Sequence, residues 1–305
     1  MLSCDIYLMP KSLAEALALW RDAPEGSRLL AGATDILPWA REGRAGDVHL
    51  TNIIDVSRVA EFQGYEVQGD RVRLNANVVY QDFMEDETLM RLLPTMPGCA
   101  AWFADDQIRR QATLVGNIVN ASPAGDGLPP MLVHEGTIEL ARLDGDRVVT
   151  RTLPVVDFIT GPGQTDLKQD EIATAITLDA MPGHGGSFQK VGLRRSLVIS
   201  AVCCAALVKA DATGKKFEDV RLALGGIGPR PIRLHQIEDM LRGQEMTREL
   251  VSRASQIPAD LVASRSRVEY RRAVVAGFVE AAIEDALVAV GAPMPNSEQK
   301  EMSLV

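Results

Sequence analysis

The segment Arg28-Leu-Leu-Ala-Gly-Ala-Thr-Asp-Ile36 decides the first part of the fold. Arg28 to Ala31 is predicted to form a short buried strand, residues 32–35 a turn, and Ile36 to Glu42 a helix. A strand, a glycine turn and a helix in this order direct free backbone amides at one place, where an anion can bind. Such turns are also common as purely structural connections. This first motif therefore leaves an anion site and a plain turn as open alternatives.

A second motif is Ala112-Thr-Leu-Val-Gly-Asn-Ile-Val-Asn-Ala-Ser-Pro-Ala-Gly-Asp126, which is predicted to be a loop of small residues and amide donors. Gly116 permits close approach of the backbone to a ligand, and Asn117 and Ser122 can donate hydrogen bonds. Asp126 either accepts hydrogen bonds from a ribose or an amino group, or caps the helix that follows. The sequence favours neither role for Asp126.

Outward from these motifs, residues 1–56 are predicted to form a small α/β unit, whose first helix begins at the capping box Ser12-Leu-Ala-Glu15. Alternating residues then predict paired strands in 67–77 and 137–158, separated by helices. The glycine-rich segment 179–186 is a candidate domain boundary. Three strands (187–193, 199–210 and 219–224), a loop at 225–233 and three helices are predicted after it.

Composition excludes several classes of protein. The 305 residues favour two domains, and 41 acidic against 32 basic residues give a net charge of −9, which argues against nucleic-acid binding. We expect no membrane span and no signal peptide. The four cysteines and four histidines lack metal-ligand spacing, and Cys203 and Cys204 are predicted to be reduced thiols in a buried strand. The common dinucleotide and P-loop glycine motifs are missing.

The two motifs together resemble the FAD-binding medium subunit of the molybdenum hydroxylases, the family of xanthine and carbon monoxide dehydrogenases. The family's first loop, A-G-G-T-D/S-L, corresponds to Ala31–Ile36, and its second, Q-I-R-x-x-A-T-x-G-G-N-I-x-x-A-S-P-x-x-D, to Gln107–Asp126. Phe188-Gln-Lys190 and Leu222–Arg233 match further family segments, so the resemblance covers about residues 5–290.

The resemblance implies an α+β fold. Residues 1–178 would form a FAD-binding domain of the vanillyl-alcohol-oxidase (PCMH) type, with lobes at about 1–57 and 58–178 and FAD extended between them. Residues 187–290 would form a C-terminal domain with a three-stranded antiparallel sheet and helices, followed by a polar tail at 291–305.

The resemblance also implies the contacts to FAD. Lys190 is expected to place a positive charge near the reduced flavin, and Trp102 and Phe103 to shield its ring; the alternatives are a surface lysine and an ordinary core anchor. No catalytic residue and no metal are assigned to this chain. The expected contacts are Leu29, Leu30, Ala31, Gly32, Ala33, Thr34, Asp35, Phe103, Ala104, Thr113, Leu114, Val115, Gly116, Asn117, Ser122, Asp126, Ala173 and Lys190.

Three positions depart from the family pattern. Ala33 and Val115 replace glycines, so neither is expected to use a backbone conformation open only to glycine, and the position or affinity of the flavin is expected to differ. Val198-Ile199 replaces an Asp-Ile pair, which puts in doubt an acidic group near the flavin that would control access of NAD⁺.

The resemblance implies an electron-transfer subunit. Its FAD would accept electrons from a [2Fe-2S] small subunit, a molybdenum-cofactor large subunit would oxidise the substrate, and NAD⁺, O₂ or another compound would be the acceptor. The complex is expected in the cytoplasm, with export by a partner's signal left open. The alternatives are a self-contained FAD reductase of the same superfamily and an assembly subunit that binds no flavin.

Overall fold

The computed structural model describes residues 2–41, 48–194, 198–264, 266–292 and 294. The first lobe is a three-stranded parallel sheet of order β1-β3-β2 with two helices. The predicted capping box begins the first helix, since Ser12 Oγ accepts from Glu15 N at 3.2 Å. The predicted end of the second helix, Glu42, lies outside the described residues. The elements are β1 (Leu2–Leu8), α1 (Leu13–Arg21), β2 (Arg28–Leu30), α2 (Ile36–Arg41) and β3 (Val48–Asp55).

The second lobe contains a five-stranded antiparallel sheet of order β4-β5-β10-β6-β7, together with a two-stranded β8-β9 pair. Short helices fill the connection between β5 and β6. The elements are β4 (Tyr65–Gln68), β5 (Arg71–Asn75), α3 (Asp82–Glu85), α4 (Glu87–Leu92), α5 (Met96–Trp102), α6 (Asp106–Arg109), α7 (Leu114–Asn120), α8 (Leu128–Val133), β6 (Thr137–Asp144), β7 (Arg147–Pro154), α9 (Val155–Phe158), β8 (Ile159–Gly161), β9 (Gln164–Thr165) and β10 (Ile172–Asp179).

Residues 114–120 of the second motif form a helix where the sequence predicted a loop, and residues 121–126 lie outside any helix or strand. Thr113 is the N-cap of α7, because its Oγ1 accepts from Gly116 N at 3.1 Å. A Cβ on Gly116 would lie 2.7 Å from that oxygen. The glycine therefore leaves room for the capping hydroxyl inside the helix, and the loop prediction was wrong for these 7 residues.

The C-terminal part is a four-stranded antiparallel sheet of order β11-β12-β13-β14, packed on three helices. The fourth strand falls in the predicted loop 225–233. It has two residues, too few for any alternation of apolar and polar residues to reveal it. The elements are β11 (Gly185–Val191), β12 (Val202–Ala210), β13 (Phe217–Gly225), β14 (Ile232–Arg233), α10 (His235–Leu241), α11 (Arg248–Ser255) and α12 (Val268–Ala289). The predicted polar tail lies largely outside the described residues.

Strand β12 separates two apolar cores. One core runs through both lobes and includes Cys203 and Ala205, whereas the other lies between the C-terminal sheet and its helices and includes Cys204 and Ala206. Successive side chains of a strand point to opposite faces, so a strand buried on both faces is apolar throughout. This confirms the prediction of a buried strand with free thiols.

Candidate functional site

A cleft of about 570 Å³ lies between the first lobe and helix α7. A cleft of this size is in the range that holds a cofactor or small molecule. Both sequence motifs contribute to its wall. The lining residues are Arg28, Leu29, Leu30, Ala31, Gly32, Ala33, Thr34, Asp35, Ile36, Trp39, Val48, Leu50, Phe103, Ala112, Thr113, Gly116, Asn117, Val119, Asn120 and Gly163.

The two motifs touch at Gly32. A Cβ placed on Gly32 would lie 1.9 Å from the Gln111 carbonyl oxygen and 3.2 Å from Ala112 Cα. Both neighbours are backbone atoms, so no side-chain rotation can relieve the overlap. Glycine is therefore required here for the first lobe to approach the second, and any larger residue would separate the two walls of the cleft.

Backbone amides of the first motif remain free. Among the described residues, the amides of residues 32–36 donate no hydrogen bond within the protein, and Leu37 N is the first to do so, to Ala33 O at 3.2 Å. Free amides and the Thr34 hydroxyl on one wall form a set of donors suited to an anion such as a diphosphate. Burial raises the pKa of Asp35, whose carboxyl group also lines the cleft.

The expectation that Ala33 cannot use the glycine-favoured conformation is wrong. Ala33 has a φ of 55°, in the left-handed region, which costs an alanine about 1–2 kcal/mol but does not exclude it. Val115, the other replacement of a glycine, lies in α7 with its side chain buried against the core. Neither replacement closes the cleft.

One side of the cleft is formed by an aromatic ring that a second, buried ring supports. Phe103 lines it and stacks on Tyr80, with ring centroids 3.8 Å apart and an interplanar angle of 5°. Tyr80 is fully buried behind Phe103. The adjacent Trp102 is 45 % exposed and lies outside the cleft wall. Phe103 and Trp39 are thus the aromatic side chains of the cleft wall that a bound ligand would meet.

Asp126 and Lys190 lie outside the cleft wall and bind each other. Lys190 Nζ donates to Asp126 Oδ2 at 2.5 Å, and Ser200 Oγ donates to Asp126 Oδ1 at 2.6 Å. Burial raises the pKa of Asp126, while the Lys190 ammonium and the Ser200 hydroxyl oppose that rise. Asp126 does not cap the following helix, whose N-cap Gly127 has no side-chain hydrogen bond.

The remaining expected contacts lie outside the cleft wall. Leu114 and Val115 face the core, Ser122 Oγ accepts from Ala124 N at 3.4 Å, and Ala173 is buried in β10. Ala104 lines a neighbouring shallow hollow with Arg109.

The sequence reading did not place nine residues that line the cleft in the site. Arg28 and Ile36 are the two ends of the first motif, and Trp39 lies three residues beyond Ile36 in the sequence. Gly163 enters because its amide donates to Ala121 O at 2.9 Å, a contact between distant segments that no local pattern reveals. The others are Val48, Leu50, Ala112, Val119 and Asn120.

Within the described residues, two other kinds of feature are absent. No group of three or more His, Cys, Asp or Glu side chains lies close enough to hold a metal ion. No helix in that part of the chain has the length and apolarity needed to cross a membrane.

Two family models match the chain. Residues 2–179 match the FAD-binding domain in molybdopterin dehydrogenase, and residues 187–286 match the C-terminal domain of the CO dehydrogenase flavoprotein. The first match contains both motifs and every residue of the cleft. The second begins at β11, which carries Lys190.

Relatives match over nearly the whole length. The xanthine dehydrogenase FAD-binding subunit of Escherichia coli O157:H7 is 30 % identical over 93 % of this chain and 97 % of its own. The carbon monoxide dehydrogenase medium chain of Hydrogenophaga pseudoflava is 27 % identical over 92 % and 96 %. A solved carbon monoxide dehydrogenase from H. pseudoflava contains a chain that superimposes with a TM-score of 0.83 at 26 % identity, over 93 % of this chain and 97 % of that one. The chain therefore belongs to the family of FAD-binding subunits of the molybdopterin dehydrogenases.

Proposed function

We propose that this chain holds FAD in the cleft between its lobes, with the diphosphate against the amides of residues 32–36. The observation that carries the proposal is the contact of Gly32 with Gln111, which brings the free amides of the first motif beside α7. The acidic chain can hold a diphosphate in this way because backbone amides, rather than lysine and arginine side chains, supply the donors.

The residues of the chain would bind and orient the cofactor. Thr34 adds a hydroxyl donor beside the amides. Asn117 Oδ1 accepts from Gly127 N at 3.2 Å, which fixes the side chain and leaves its amino group for a ligand. Phe103 supplies an apolar surface that excludes water from an aromatic ring. FAD, when bound, supplies the electron-transfer chemistry, and the protein adjusts its position and surroundings.

We further propose that the chain is one of three subunits. Electrons would reach its FAD from a [2Fe-2S] small subunit, after a large subunit with the molybdenum cofactor has oxidised the substrate. The acceptor would be NAD⁺, O₂ or another compound, and the complex would lie in the cytoplasm. Support comes from the relatives that are named medium chains or medium subunits, a term that implies a larger and a smaller partner.

Purification of the tagged chain from its own cells tests this assembly. We expect two further chains to co-purify, with molybdenum, iron and FAD in the complex. After anaerobic reduction of the complex, NADH formation on addition of NAD⁺ would identify NAD⁺ as acceptor, and rapid oxidation by air alone would identify O₂. A complex that releases no flavin nucleotide on denaturation would support an assembly subunit instead. A yellow chain that turns over a substrate alone would support a self-contained reductase.

A further inference from the structure

The C-terminal part of the chain reaches the cleft only indirectly. Among the described residues, those that line the cleft end at Gly163. Behind the wall lies a group of contacts that we call the Lys190 cluster: the side chains of Lys190, Asp126 and Ser200 and the carbonyl of Trp102. Lys190 is 2 % exposed and Asp126 is 8 % exposed at the side chain, so the pair is withdrawn from solvent.

The Lys190 cluster fixes the backbone next to Phe103. Lys190 Nζ donates to Trp102 O at 3.3 Å, and Arg109 Nη1 donates to Phe103 O at 3.0 Å. Two buried cations therefore bind the two consecutive carbonyls on either side of the Phe103 Cα. On one side of Phe103 the backbone is held by Arg109 of the same lobe, and on the other side by Lys190 of β11.

The charge of Lys190 is already paired. Asp126 lies 2.5 Å from its ammonium group, and Lys190 is not part of the cleft wall. A buried cation beside a carboxylate presents little net charge to a more distant group. An action of Lys190 on a ligand in the cleft must then pass through the atoms it binds.

We propose that Lys190 is a positioning residue that sets the Phe103 ring against the flavin through the Trp102 carbonyl, while Asp126 holds the Lys190 ammonium group in place. This proposal rests on the proposed FAD site. It differs from the expectation that Lys190 acts by its own charge near the flavin. Through Lys190, the C-terminal domain would also contribute to the cofactor site, although none of its described residues lines the cleft.

The test uses the full chain and four proteins: wild type, Lys190→Met, Phe103→Leu and the double variant. The dissociation constant of FAD and the emission intensity of bound flavin are measured for each. We expect Lys190→Met to weaken FAD binding about tenfold, as for the loss of a charged hydrogen bond, and to change the emission. In the Phe103→Leu background the same substitution should change neither quantity by more than about twofold. Additive effects of the two substitutions would overturn the proposal, since Lys190 would then act independently of Phe103.

Two further variants separate positioning from general damage. Arg221→Met removes another contact between the same parts of the chain, the ion pair with Asp179 at 3.1 Å, without touching residues 102–103. We expect it to leave FAD affinity and flavin emission unchanged; an equal loss would overturn the proposal. Lys190→Met combined with Asp126→Asn removes the carboxylate left unpaired by the single change. The combined variant should fold and still bind FAD weakly, and wild-type affinity would contradict the proposal. A wild-type chain that binds no FAD would refute the proposed function itself.

Discussion

The cleft and the Lys190 cluster differ in whether their polar groups have hydrogen-bond partners within the protein. In the cleft, the amides of residues 32–36 and the carboxyl group of Asp35 have no hydrogen-bond partner among the described residues. In the Lys190 cluster, each oxygen of the Asp126 carboxylate has a donor within 2.6 Å. The unpaired groups of residues 32–36 lie on a partly exposed cleft wall, where a ligand can reach them, while the buried and fully paired groups of the Lys190 cluster provide internal support.

The largest expected effect on FAD binding breaks the cleft side of this comparison. Gly32→Ala places a Cβ 1.9 Å from the Gln111 carbonyl oxygen, so the two walls must separate. We expect FAD affinity to fall at least about 100-fold, or ~2.7 kcal/mol, as measured by titration of the apoprotein. Gly277→Ala is the matched control, because a Cβ there meets open space. Its FAD affinity should equal that of the wild type, and an unchanged affinity in Gly32→Ala would contradict the account of the cleft.

The next prediction concerns the stability of the protein and breaks the paired charges of the Lys190 cluster. Lys190→Met leaves the Asp126 carboxylate buried without its cation, and Asp126→Asn leaves the ammonium group without its anion. Each single change should lower the free energy of unfolding by about 3–5 kcal/mol in urea titrations of the apoprotein. The double change should cost less than the sum of the singles, because no isolated charge remains. Strict additivity would show that the pair is not coupled.

His134 is a further buried and paired group, and its titration makes the stability of the protein depend on pH. It is fully buried and paired through both ring nitrogens, with Asp179 O at 2.9 Å and Thr95 Oγ1 at 3.0 Å. Burial lowers its pKa from 6.5 to about 4, so the folded state binds this proton less readily than the unfolded state. Stability should therefore be full above pH 6.5 and fall by about 3 kcal/mol as the pH drops towards 4.

The pH dependence is checked by thermal unfolding of the wild type and of His134→Asn at several pH values. The variant should lose the slope between pH 6.5 and 4. It should keep the loss at lower pH, because the pKa of Asp219 is lowered to about 2, mainly by its hydrogen bond with His184. An identical slope in both proteins would show that His134 does not titrate as its surroundings indicate.

The smallest expected effect is a gain in the free energy of unfolding. Ala33 has a φ of 55°, where glycine has no steric cost. Ala33→Gly should raise the free energy of unfolding by about 1 kcal/mol and leave FAD bound at least as tightly. Urea titration and FAD titration measure the two quantities. Weaker FAD binding in this variant would mean that the Ala33 methyl group contacts the cofactor favourably.

Much of the fold could be predicted from local pattern. The capping box at Ser12 and the buried strand at 202–210 both carry strong local signals. Strand β14 carried none, since two residues show no periodicity. The second motif was misread because a glycine inside a helix looks like a loop signal, although here it makes room for the Thr113 hydroxyl.

The residues of the candidate site also differ in whether a local sequence pattern could predict them. The residues of the first motif are contiguous in sequence, and the structure places all of them in the cleft wall. Lys190 could be assigned to the cofactor region only by resemblance, because its partner Asp126 is 64 positions away and its second partner is a backbone carbonyl. Hydrogen bonds between distant segments follow from tertiary packing, which no short motif records.

Amide chemical shifts test the central claim most directly. In the full chain labelled with ¹⁵N at glycine and alanine, the signals of Gly32 and Ala33 report on two of the free amides. On addition of one equivalent of FAD, both amide protons should move downfield, as expected when an amide gains a negatively charged acceptor. The Gly277 signal, remote in α12, should stay in place. Tight FAD binding with unmoved Gly32 and Ala33 signals would contradict the claim that the first motif holds the diphosphate.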